Sequence, residues 1–92
     1  MNTILTSYIN TLISLFNKNV KHNFNKGDCK LALKYIEILE RNNIPQIERT
    51  IKEIADVRNI DIEELVNFED IKRQLKEYKA KCLEEINRRM AA

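Results

Sequence analysis

Only one glycine, Gly27, and one proline, Pro45, occur in 92 positions. That shortage restricts the fold more than any other feature. A sheet of this length needs turn chemistry about every ten residues, and it is absent here. No segment alternates apolar and polar residues with a period of two. Apolar residues recur instead every three and four positions, which is the signature of helices with one buried face. With 43% hydrophobic and 33% charged residues, the chain has the means to build one modest core, and its composition is that of a folded protein. The sequence predicts an all-α fold: a compact bundle of four main helices plus one short helix, closed by a long C-terminal helix, in a single domain over residues 1–92.

The predicted elements follow from local signals. A first helix runs from Thr3 to about Val20, with Ile4, Leu5, Tyr8, Ile9, Leu12, Ile13, Leu15 and Phe16 over about half of its circumference. NFNKGD then reads as a turn, with Gly27 free to adopt left-handed backbone and Asp28 placed to cap the next helix. A second helix follows from Cys29 to about Arg41 and is apolar on more than one side, as suits a central element. Pro45 predicts a break at NNIP, because the residue before proline is pushed out of helical geometry. A third helix then spans Pro45 to Arg58, with Asn59 as its stop. Asp61 and Glu64 fit a capping box with Ile60 and Leu65 as its staple, and Asn67 and Asp70 repeat the spacing with Val66 and Ile71. A short helix is therefore expected before a last one from about Phe68 to Arg89, seamed by Phe68, Ile71, Leu75, Tyr78 and Cys82.

Charge is distributed unevenly. Seventeen residues precede the first charged side chain, Lys18. Acids cluster from Asp61 to Asp70, and bases predominate beyond Ile71. The first helix carries neither the basic polar face of a membrane-surface helix nor the length of a spanning one, and it has no basic start or small-residue cleavage site of a secretory signal. A cytoplasmic location is expected. Thr, Ser and Asn on a second face can be covered at modest cost when hydrogen-bonded, whereas Lys or Glu there would be expensive to bury. Ser7, Thr11 and Ser14 also form a ridge that admits another helix closely. The first helix is accordingly predicted to dock a protein partner or a second copy of the chain through Tyr8, Thr11, Leu12, Ser14, Leu15 and Phe16, with Glu63 and Glu64 steering a basic surface.

Other constellations point elsewhere. TIKEIADVRNIDIEELVNF resembles the helix-turn-helix of phage repressors, with Ile54, Ala55, Ile60, Leu65 and Phe68 at its apolar and small positions. That resemblance implies a DNA-binding transcriptional regulator. Asn59 replaces the usual Gly, however, and Asp61, Glu63, Glu64, Glu69 and Asp70 would meet a phosphate backbone, so nucleic acid is not the expected partner. HNFNKG resembles the H-x-x-K-G of histidine phosphotransfer bundles, but its Lys comes one residue late and His22 lies near a helix end. Cys29 and Cys82 have no metal-type spacing and read as reduced core thiols. No nucleophile motif, Gly-rich loop or ligand cluster is written in the chain, so neither an enzyme nor a cofactor or metal is expected. Thirteen Ile, eleven Asn and ten Lys fit AT-rich coding, as in a low-GC bacterium, its phages or plasmids, or a virus. The functional expectation is a small stoichiometric regulator, adaptor or inhibitor that acts on a protein partner and uses the same surfaces for homodimerisation.

Overall fold

Backbone chemistry resolves this pattern into three helices among the described residues. The computed structural model describes residues 3–61 and 68–91. Helix α1 occupies residues 3–25, α2 residues 29–58 and α3 Phe68–Ala91. They run up, down and up. The first half of α2 lies against both α1 and α3, and the first half of α1 lies against the second half of α2. The result is a rod of 55 × 19 × 17 Å with a radius of gyration of 15.2 Å, longer than the roughly 12 Å expected for an equant domain of this size.

The all-α class holds, but the expected count of four main helices plus a short one does not. Two π-wound segments are the reason. In α1, winding widens over Phe16–Lys21, where the His22 N–H reaches back to the Asn17 carbonyl, and an α turn at His22–Asn25 then completes the helix. The first helix thus continues past Val20. In α2, the same widening over Leu39–Asn43, with the Ile44 N–H bonded to the Leu39 carbonyl, leads directly into Ile44–Arg58. An ordinary α turn would bring the Pro45 ring against the carbonyl four residues earlier and leave that carbonyl without a donor. The wider turn removes that conflict, so the helix passes through Pro45 where a break is predicted. The short helix expected after Asp61, and both capping boxes, fall partly on residues 62–67, outside the described residues.

The turn at Gly27 and Asp28 and the stop at Asn59 are built as expected. Gly27 has φ 92°. The Gly27 N–H bonds the Phe24 carbonyl at 3.0 Å and the Asp28 N–H bonds the Asn23 carbonyl at 2.9 Å, a Schellman closure. The Asp28 carboxylate then accepts from the Leu31 N–H at 3.1 Å and caps α2. Asn59, with φ 57°, ends α2 in the same way, with the Ile60 N–H on the Ala55 carbonyl at 2.8 Å.

One core joins the helices. Leu12, Phe16 and Val20 of α1 meet Ala32, Ile36, Ile47 and Ile51 of α2 and Phe68, Leu75 and Cys82 of α3. Tyr78 ties α3 to α1 through edge-on contacts with Phe16 and Phe24, with ring centroids 5.8 and 5.2 Å apart. The buried Asn23 directs its amide to the Asn19 carbonyl at 2.6 Å, so no orphan donor is left in the interior there. Lys72 and Lys79 of α3 pair with Glu48 and Glu40 of α2 at 2.9 and 3.3 Å. These pairs match the antiparallel register of the two helices.

Candidate functional site

Helix geometry divides the predicted contact residues of α1 into two groups. Leu12 is 0% exposed and Phe16 5%. Both are committed to the chain's own core, because they lie on the same side as Val20 and face α2 and α3. They are not available as surface contacts. Tyr8, Thr11 and Ser14 are exposed and Leu15 is half-buried. Glu63 and Glu64 lie outside the described residues.

The exposed group is joined by Ile4, 54% exposed, which was not among the predicted contacts. Ile4, Tyr8, Thr11 and Leu15 step by four, three and four, the spacing that keeps residues on one line along a helix. The signal was present in the sequence, but so was an equally regular line through Leu12 and Phe16. Periodicity alone does not say which of two apolar lines a bundle will bury. Beside the exposed line, Thr6, Ser7, Asn10, Thr11, Ser14 and Leu15 enclose a shallow depression of about 540 Å³. Its floor is low because the side chains are short. The Thr11 hydroxyl donates to the Ser7 carbonyl at 2.8 Å, which satisfies that hydroxyl within the helix and lets it enter an interface without a stranded donor.

The rest of the surface has a different chemistry. On α3, Arg73 bridges Asp70 and Glu77, and Arg88 and Arg89 converge on Glu85. The Arg73 and Gln74 hydrogen bonds hold the Asp70 carboxyl below its ordinary range, and Arg88 does the same for Glu85. The hydrogen bond to Glu48 raises the Lys72 ammonium. A wider depression of about 760 Å³ between α2 and α3 contains Ile44, Pro45 and the Glu40–Lys79 and Glu48–Lys72 pairs. Those two pairs join α2 to α3 across the helix interface. Among the described residues, no three His, Cys, Asp or Glu side chains come together as a metal site, and no helix is long and apolar enough to cross a membrane.

The remaining sequence candidates are dispersed. His22 is exposed in the final turns of α1. Thr50 to Arg58, the first part of the repressor-like stretch, is the end of the continuous α2. Cys29 and Cys82 are free and buried, and both belong to the one core. Compared with known proteins, the chain matches no family model, no curated protein and no solved structure.

Proposed function

We propose that this chain is a non-enzymatic regulator or adaptor that acts stoichiometrically by docking a helical surface of a protein partner on the first half of α1. One observation carries the proposal: Ile4, Tyr8 and Thr11, flanked by Ser7 and Ser14 and continued by the half-buried Leu15, are exposed and free of ionised side chains on a protein that is one-third charged. Apolar anchors beside small residues permit close helix approach, and desolvating them leaves no buried charge. The same face is self-complementary. In an antiparallel pairing centred on Thr11, Tyr8 falls opposite Ser14 of a second copy and Leu15 opposite Ser7, so large residues meet small ones on both sides of the two-fold axis. Homodimerisation is therefore the specific form of docking that the spacing favours.

Light scattering on the purified chain, with Thr11→Lys and Ser14→Lys as comparators, tests both levels. A doubled mass abolished by either lysine supports the homodimer. Photo-crosslinking from position 8 or 11 in the expressing cell addresses a different protein partner, with position 34 on the charged side of α2 as the control. A monomer that gives no crosslink beyond the control overturns the proposal. The DNA-binding alternative predicts a mobility shift that weakens steeply with salt; absence of a shift at low salt removes it.

A further inference from the structure

We propose that the last turns of α3 and the first turn of α2 form a second docking surface, a short slot that takes an acidic amphipathic helix of a protein partner. The proposal is independent of the docking face on α1. Leu83, Ile86 and Met90 step by three and four, the spacing that holds side chains on one line along a helix. That line is left largely uncovered. Leu83 is 44% exposed and Met90 79%, while Ile86 is half-buried against the core. Lys72 and Lys79 lie farther back on the same line and pair with Glu48 and Glu40, so the line runs along the side of α3 that meets α2. Beside it, Ile86 and Met90 join Asp28, Lys30 and Arg89 around a depression of about 370 Å³. An apolar row next to a depression between two helices is a seat for the apolar face of a third.

Charge decides which kind of helix fits. Residues 18–34 hold five lysines and a single acid, Asp28, whose carboxylate is engaged by the Leu31 N–H. Among the described residues, Lys18, Lys21, Lys26, Lys30 and Lys81 pair with no carboxylate. Lys21 and Lys81 rest instead over the rings of Phe16 and Tyr78, 4.9 and 5.6 Å from the centroids. Glu85 is shared by Arg88 and Arg89, and Glu84 and Glu85 border a different depression, lined on the α1 side by Phe24 and Gly27. Glu37, the next acid along α2, comes two turns after Lys30. The unanswered charge at this end of the rod is positive, and it attracts and orients an acidic partner.

Other occupants match only half of this surface. Two copies of the chain would set lysines against lysines. Nucleic acid would answer the lysines but leave Leu83 and Met90 against sugar and phosphate, and the guanidinium groups of Arg88 and Arg89 are already held by Glu85. A bilayer surface takes up a convex apolar helix face, whereas this row borders a depression. A helix with one apolar face and acidic flanks covers Leu83, Ile86 and Met90 and meets Lys30 at the same time.

The test is fluorescence anisotropy at low salt, with the full chain and a fluorescein-labelled helical peptide that has leucines on one face and glutamates on the others. The peptide should bind, and more weakly as salt rises. Two controls, one with the leucines scattered around the helix and one with lysine in place of glutamate, should bind about tenfold more weakly or not at all. Leu83→Ser and Met90→Ser should each lower the affinity several-fold while circular dichroism and the melting midpoint stay unchanged. Lys30→Glu should lower it and flatten its salt dependence; Lys52→Glu, the same charge change in the second half of α2, should not. Absence of binding at low salt overturns the proposal, as does equal binding of the scattered peptide or full binding by both serine variants. Single-stranded DNA and anionic lipid vesicles serve as competitors, and displacement by either at a lower concentration than unlabelled peptide requires would assign the surface to that partner and overturn the proposal as well.

Discussion

The two halves of the rod solve the same burial problem differently. Around the α1–α2 turn, three helices enclose Val20, Ala32, Ile36 and Cys82, and the outer surface is rich in charge, with Glu85 shared between Arg88 and Arg89. At the other end, the first half of α1 lies on the second half of α2, and its outer line is Ile4, Tyr8 and Thr11 among short hydroxyl and amide side chains. The first half carries charge on all three helices. The second keeps its charge on α2 and α3 and leaves apolar side chains of α1 exposed on a helix face that carries none. A single sequence can thus cover one end of a bundle with charge and leave an uncharged, partly apolar helix face at the other.

The largest expected difference between the halves is in stability. Ile36→Ala removes a side chain that is 0% exposed and should cost about 2–5 kcal/mol in urea denaturation. Ile4→Ala, on the exposed line, should cost less than about 0.5 kcal/mol. A loss at Ile4 as large as that at Ile36 would mean that the line is already covered in the working protein. The next effect is in pH. Because the folded-state Cys82 thiol is raised from 9.0 to about 11, its contribution is fully present below pH 9 and is lost as pH rises towards 11, by roughly 2–3 kcal/mol. Cys82→Ala should remove that part of the alkaline limb. On the acid side, Asp70 and Glu85 are lowered, so their contribution is present above the ordinary carboxylate range and is lost as pH falls through the depressed values; Glu85→Gln should flatten part of that loss.

Smaller still is the cap. Asp28→Ala removes the acceptor for the Leu31 N–H and should cost about 1 kcal/mol, read as a lower denaturation midpoint. The smallest effect on stability is expected for Ser14→Lys, within about 0.5 kcal/mol, although the same change should abolish association. Association that survives Ser14→Lys would move the contact surface away from α1.

Much of the fold was legible before any tertiary information. Helical periodicity, the left-handed Gly27, the Asp28 cap and the Asn59 stop are local properties, decided by backbone sterics and by side chains within a few residues. Pro45 was misread for a related reason. Its local rule is correct for an α turn, but packing of Ile36 and Leu39 before it, and Ile47 and Ile51 after it, into one core favours a continuous helix with a widened turn. The candidate site was legible in part. The absence of charge from residues 1 to 17 is what singles out the first helix as a candidate, while the burial of Leu12 and Phe16 in the core removes those two from the exposed set.

The sequence alone determined that the chain is helical, where two of its turns lie and which stretch of helix lacks ionised groups, because each of these depends on residue type and short spacing. Only the tertiary structure decided which apolar line of α1 is buried, that α2 runs through its proline, and that Cys29 and Cys82 share one core. Those outcomes depend on how three helices share one core, and burial on one side of a helix is set by the neighbours that pack there.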